Sequence, residues 1–318
     1  MRNSENRYRV FENDLSNINR RAVASPKEFI RESEREYRAS LTEAACFLER
    51  RTGSIRIVML AGPSSSGKTT TARVLMEILR EMGIYSIDVS LDDFYKPHEN
   101  SPVLPDGRPD FESPDALDIP QIGRCLKEIM EHHRSDLPIF DFSTHMPSVK
   151  RRCVELPEHS VVIVEGLHAL NPVITQGLPE DGLLRVYLSV KQGVKEGGSE
   201  QISPNDVRFL RRLVRDYRFR SSAPEKTLEL WPDVMAGEYK YIKPFRPIAD
   251  FNINTFHSYE LCVLKEPALA LLDQIEETKE QMRKNGEWLR GIKELLQKVS
   301  PLPADLIPES SILKEFIG

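Results

Sequence analysis

The sequence predicts an α/β fold in three layers, α/β/α, around a mostly parallel sheet, and three observations carry that expectation. Short apolar, β-branched runs alternate with amphipathic stretches from Ile55 onward, the order expected of strands joined by crossover helices. One run, Val161-Val162-Ile163-Val164, is apolar at every position, as a central strand buried on both faces must be. Between the first run and the first helical stretch stands Gly62-Pro63-Ser64-Ser65-Ser66-Gly67-Lys68-Thr69, which fits the Gly-x4-Gly-Lys-Ser/Thr pattern of a phosphate-binding loop.

Taken in order, residues 1–50 are rich in Arg, Glu, Asn and Ser. From about Pro26 to Arg50 they show a charged helical pattern with Phe29, Tyr37, Leu41, Ala44, Ala45 and Leu48, which reads as an outer helix leaning on the core. Strands are expected at 55–61, 84–90, 161–165, 183–190 and 249–254. Helices are expected near 69–82, 118–133, 205–219 and 225–236, the first carrying Val74, Leu75, Ile78, Leu79 and Met82 and stopping at Gly83. Residues 96–114 hold Pro97, Pro102, Pro105, Pro109 and Pro114 plus Asp106-Gly107, so a long loop is expected, and such loops in compact domains are often functional. The segment 191–204, with Gly193, Gly197 and Gly198, reads as a second flexible stretch. Beyond Ser258 the pattern is helical to Val299 with a break near Asn285-Gly286, and 301–318 reads as a surface appendage. The expected division is an N-terminal helical extension (1–50), a core (51–260, with a lid at about 191–222) and a C-terminal helical extension (261–318).

Composition narrows the function. A formal net charge of −5 argues against a general binder of nucleic acid or anionic membrane, since both need a basic surface. The cysteines at 46, 125, 153 and 262 form no Cys-x-x-Cys pair, which fits a reduced, cytoplasmic setting. No apolar run approaches the ~18 residues needed to cross a bilayer. A small-molecule partner is therefore expected, and homo-oligomerisation is left open.

The loop makes a nucleoside triphosphate the first ligand to consider. Successive backbone N–H groups of Gly62, Pro63, Ser64, Ser65, Ser66, Gly67, Lys68, Thr69 and Thr70, wherever an N–H is present, would cradle phosphates at a helix N-terminus, with the Lys68 ammonium reaching toward the γ-phosphate. The fold expected is thus of the P-loop NTPase type. Phosphoryl transfer also needs a metal, a group that orients or deprotonates the acceptor, and cations for the charge on the transferring group. The Thr69 hydroxyl and Glu165, at the end of strand 161–165, suit magnesium; a strand-end glutamate facing solvent is the alternative for the second. Strand 84–90 runs into Asp92-Asp93 at the carboxyl end of a parallel strand, where ligands bind. Asp92 is expected as general base, although an isolated Asp-Asp pair often only caps a turn. Arg208, Arg211, Arg212 and Arg215 fall on one helix face, extended by Arg218 and Arg220, with Val207, Leu210, Val214 and Tyr217 opposite. After a phosphate-binding loop, this reads as an arginine lid helix that swings over the phosphates; without that context it would read as a solvated face. Phe140-Asp141-Phe142-Ser143-Thr144-His145 offers two rings and an imidazole to a planar ligand, or ordinary core residues.

These pieces in this order resemble the uridine kinase and phosphoribulokinase family of P-loop kinases. The likeness rests on Gly62 to Thr70, Ser90-Leu91-Asp92-Asp93-Phe94-Tyr95, Phe111-Glu112-Ser113-Pro114-Asp115-Ala116-Leu117-Asp118, Phe140 to His145, Val164-Glu165-Gly166, Arg208 to Asp216, Lys243-Pro244 and Ala249-Asp250. It implies use of ATP and Mg²⁺. It implies that Asp92 takes the proton of a sugar hydroxyl, that Thr69 and Glu165 serve magnesium, and that Lys68, Arg215 and Arg220 serve the ATP phosphates. Arg212, Tyr95 and Glu112 would then lie against the acceptor, and Phe140, Phe142 and His145 around its base. This chain departs from the pattern at Phe140, where those enzymes usually have tyrosine, at Glu112, where they have aspartate, and at Leu230, where they have glutamine. A site loses discrimination when a hydrogen-bonding partner is removed, so the phosphate chemistry is expected to be kept while the acceptor varies. The expected activity is phosphorylation of a nucleoside 5′-hydroxyl. The alternatives are transfer to another small alcohol, such as a sugar phosphate or a pantothenate-like compound, or a non-catalytic ATP-binding regulatory protein.

Overall fold

Five parallel strands in the order β11-β8-β1-β7-β2 form the centre of the molecule. They are β1 (Ile57–Ala61), β2 (Ser86–Ser90), β7 (Val161–Gly166), β8 (Leu183–Ser189) and β11 (Phe251–Asn254). The structure, a computed structural model, describes residues 8–51, 56–142, 144, 146–275 and 279–318, the side chains of 279–284 excepted. β1 and β7 are buried at every position because helices cover both faces. On one side Val58, Leu60, Ile163 and Val186 pack under Tyr37, Leu41 and Leu48 of α2 (Pro26–Glu49) and Leu75 and Leu79 of α3 (Lys68–Glu81). On the other, Ile57, Met59, Val162 and Val164 meet Ile122, Leu126 and Ile129 of α4 (Ile119–His132). Each such side chain contributes about 1.5–3 kcal/mol relative to exposure.

A second core lies beside the sheet. Here α1 (Leu15–Ala24), α6 (Pro204–Arg220), α7 (Pro224–Gly237), α8 (Glu260–Leu272) and α9 (Lys279–Lys298) bury Ile18, Phe209, Leu213, Leu228, Leu264 and Leu296 together. The arginine-bearing helix α6 therefore shares its apolar face with the N- and C-terminal extensions. Its start is fixed by Pro204 in the first turn and a reciprocal Ser203/Asp206 capping box. A short α5 (Pro172–Thr175) follows β7, and α10 (Lys314–Ile317) closes the chain.

Several expectations change. The glycine-rich segment 191–204 contains an ordered hairpin of β9 (Val194–Glu196) and β10 (Ser199–Ile202). Gly197 and Gly198 turn it at φ of 60° and 84°, and Gly193 is required because a Cβ there would sit 1.7 Å from the Ile202 carbonyl oxygen. The helical break is not at Asn285-Gly286, which lies inside α9; α8 ends at Leu272. The tail is no surface appendage, for Ser311, Ile312, Leu313 and Phe316 are fully buried. Two antiparallel pairs also appear that the sequence did not announce: β3 (Arg134–Leu137) with β6 (Arg152–Glu155), and β4 (Phe140–Asp141) with β5 (Met146–Pro147). No helix among the described residues is long and apolar enough to cross a membrane.

Candidate active site

The loop between β1 and α3 is built around close approaches. A Cβ on Gly62 would lie 2.5 Å from the Leu188 carbonyl oxygen, so only glycine lets the loop leave the sheet at this angle. Ser65 and Gly67 take left-handed φ values of 60° and 83°, which tightens the turn into the first residue of α3. Two arginines of α6 hold the loop from outside: Arg208 Nε donates to the Ser64 carbonyl at 3.0 Å, and Arg211 donates to the Ser65 carbonyl at 3.3 Å. These bonds fix the loop at the start of α3, a position suited to binding phosphate. Lys68 Nζ rests on the Pro63 carbonyl at 3.2 Å. The Ser65 and Ser66 hydroxyls are buried with no hydrogen-bond partner among the described residues, as groups awaiting a polyphosphate would be, and Thr69 is exposed at the mouth.

The carboxylates separate by role. Asp93 Oδ1 accepts from the Phe140 backbone N–H at 3.2 Å, so it anchors β4. Asp92, in the turn after β2, is left as an electrostatic neighbour of Lys68 and Glu165. Glu165 Oε1 accepts from Ser90 Oγ at 2.7 Å, and burial together with the Asp92 charge raises its pKa to about 7. Burial lowers the Lys68 pKa, opposed by Glu165 and Asp92. A divalent cation would relieve the crowding of two carboxylates here. Among the described residues no group of three or more His, Cys, Asp or Glu could by itself hold a metal ion.

The arginines divide in two. Arg208 and Arg211 are 2% and 0% exposed and pair with Glu238 at 2.6 Å and Glu260 at 2.7 Å. They are fixed anchors of the loop, not the mobile finger charges expected of a swinging lid. Arg212, Arg215 and Arg220 instead converge on Asp216, at 3.1, 2.7 and 3.6 Å, while Arg212 Nη1 also donates to Ser64 Oγ at 2.6 Å. One carboxylate thus gathers three guanidiniums beside the phosphate loop. Tyr217, expected on the apolar face, is 48% exposed.

The residues expected to face an acceptor lie on the long loop and at β4. Tyr95 Oη donates to the Phe111 carbonyl at 3.3 Å, and its ring lies 5.9 Å from that of Phe140. Phe140 is buried whereas Phe142 is exposed, their rings meeting edge-on at 5.0 Å. His145 lies outside the described residues. Glu112 packs so tightly on the end of α7 that a Cβ on Gly237 would fall 2.4 Å from its Cβ. Burial raises the Glu112 pKa to about 7, partly offset by Arg212 and Lys68.

Two contributors escaped the sequence reading. His168, past the end of β7, is buried near Glu112 and Lys68; a lone histidine gives no pattern to find it by. Glu315 comes from α10, and its Oε2 accepts from the Thr70 backbone N–H at 3.3 Å, while Ile312 lies against Gly67. No local signal links the tail to the loop 245 residues away.

Residues 57–261 match the model of the phosphoribulokinase / uridine kinase family. A uridine kinase of Borrelia hermsii (strain HS1 / DAH) is 31% identical over 205 residues, covering 63% of this chain and 86% of the relative. A uridine kinase of Lactobacillus johnsonii is 27% identical over 195 residues, 61% of this chain and 83% of the relative. Among solved structures, the phosphoribulokinase from Rhodobacter spheroides aligns with a TM-score of 0.42 at 15% identity, covering 64% of this chain and 72% of that one.

Proposed function

The chain belongs to the phosphoribulokinase / uridine kinase family and is a P-loop kinase, and on that premise we propose that it transfers the γ-phosphoryl group of ATP to the 5′-hydroxyl of a nucleoside in the cytoplasm. The observation that carries the reading is the division of labour between adjacent aspartates. Asp93 is committed to the Phe140 amide, whereas Asp92 stands by Lys68 and Glu165 at a strand end.

In this reading Asp92 takes the proton from the acceptor hydroxyl as the oxygen attacks phosphorus, and general-base assistance is worth about 10²–10⁴-fold. The loop amides and Lys68 hold the phosphates in line, and Arg215, Arg220 and Arg212 meet the charge on the transferring group and the acceptor. Asp216 keeps those three aligned. Thr69 and Glu165 would hold magnesium, which neutralises phosphate charge when bound. Tyr95, Glu112, Phe140 and Phe142 form the acceptor wall, with His145 assigned there on sequence alone. The curated relatives named as uridine kinases support a nucleoside acceptor.

Acceptor profiling with purified protein, ATP and magnesium tests the reading. A nucleoside should give acceptor-dependent ADP release and a 5′-monophosphate. Turnover with sugar phosphates or other alcohols alone would replace the acceptor, and ATP binding without any acceptor-dependent turnover would remove the kinase assignment.

A further inference from the structure

His168 is 2% exposed, and neither Nδ1 nor Nε2 has a hydrogen-bond partner among the described residues. Buried polar groups are nearly always paired, and each exception calls for an explanation. A core-filling role does not supply one, since leucine would occupy similar space without two unsatisfied nitrogens.

Its surroundings do. The residue follows β7 by two positions, where Asn171 N–H bonds its carbonyl at 2.8 Å and fixes the turn. The Glu112 main chain lies near the ring but not in hydrogen-bonding geometry. Tyr241 meets the ring edge-on at 6.3 Å, yet its hydroxyl is already committed to Asp110 at 3.0 Å. The Lys68 charge also acts on the ring. The imidazole is thus a neighbour of Lys68 in the phosphate loop and of Glu112 on the long loop. A buried imidazole left wanting beside both loops points to a ligand that satisfies it.

We propose that His168 is an acceptor-binding residue whose imidazole hydrogen-bonds a sugar hydroxyl adjacent to the one held by Glu112, selecting an acceptor with vicinal, unphosphorylated hydroxyls. This deepens the nucleoside-kinase reading and rests on it. Burial lowers the His168 pKa to about 4, so near neutrality the ring carries one donor and one acceptor nitrogen. That pair matches an alcohol, which can both accept and donate. A phosphate or carboxylate substituent would instead call for a cation.

The test compares wild type with His168→Leu and His168→Asn, measuring acceptor KM and kcat for ribo- and deoxyribonucleosides, ATP affinity by direct binding, and thermal stability. Leucine should raise the KM for the ribonucleoside about tenfold or more, leave ATP affinity within twofold, and leave Tm unchanged or higher; asparagine should recover part of the KM. Leucine should also narrow the preference for ribose over deoxyribose. A ribonucleoside KM within twofold of wild type, or a loss of Tm with KM intact, overturns the proposal. Should leucine fail to fold, ¹⁵N-histidine spectra of wild type during acceptor titration decide: a shifted His168 ring resonance supports contact, and an unmoved one refutes it. If wild type phosphorylates no acceptor at all, the parent reading fails; if it phosphorylates nucleosides while leucine keeps its KM, only the role of His168 fails.

Discussion

The matched region 57–261 and the segments flanking it serve one site in different ways. In the matched region, the groups proposed for the chemistry sit at the carboxyl ends of parallel strands: the phosphate loop after β1, Asp92 after β2 and Glu165 at the end of β7. The flanks carry no such motif, yet they reach the same loop. Tyr37 of α2 bonds Thr71 at 2.6 Å, Ile312 lies against Gly67, and Glu315 holds the Thr70 amide. The seam between the two regions is α6, which packs its apolar face with the flanking helices and sends its arginines to the loop. The lesson is that a kinase core can recruit added helices as scaffolding for its phosphate cradle without lending them any reacting group.

If chemistry belongs to the core alone, Asp92→Asn should lower kcat by roughly 10²–10⁴-fold while ATP affinity and Tm stay near wild type; retained turnover in a steady-state assay would remove Asp92 from its role. If α6 is the seam, Arg211→Met should cost about 3–5 kcal/mol, read as a lower denaturant midpoint, because Glu260 would be left buried and unpaired. A near-neutral result would mean the flanks contribute little to holding the loop. The sharpest probe of the boundary is Glu315→Gln. A carboxylate and a phosphate compete for the same Thr70 amide, so the neutral variant should bind ATP about threefold to tenfold more tightly in calorimetry, and unchanged affinity would confine the tail to packing. The smallest effect concerns the acceptor wall. The folded pKa of Glu112 is raised to about 7 from 4.5, so its stabilising contribution is complete below about pH 4.5 and is lost as pH rises through about 7. The difference in Tm between Glu112→Gln and ligand-free wild type should therefore grow in the variant's favour across that window, and a flat difference would place Glu112 in water.

Elements with strong local signals were legible. The strand, loop and helix at 57–81, the all-apolar β7 and the helix at 204–220 follow from periodicity and glycine placement, and the family resemblance ordered the site around them. What escaped had physical reasons. β3 reads Arg-Ser-Asp-Leu with only alternate residues buried, too short and too polar to register as a strand, and its pairing with β6 is set by tertiary contact. The hairpin at 194–202 was hidden because glycines suggest looseness as readily as a tight turn. On α6, spacing placed the arginines on one face but could not show that two of them would be buried against Glu238 and Glu260, acids 30 and 49 residues away. His168 and Glu315 acquire meaning only through neighbours that folding brings to them.

The arginine clasp on the Ser64 and Ser65 carbonyls has an energetic corollary. A loop left slack in the free protein would have to freeze at the moment of capture, and that entropy loss would weaken nucleotide affinity. Here Arg208 and Arg211 fix the curvature during folding, so an arriving triphosphate meets dipoles already aimed. Calorimetry should then record association with little ordering penalty from the loop itself, and softening either guanidinium should surface as an unfavourable entropy change before any enthalpy is lost.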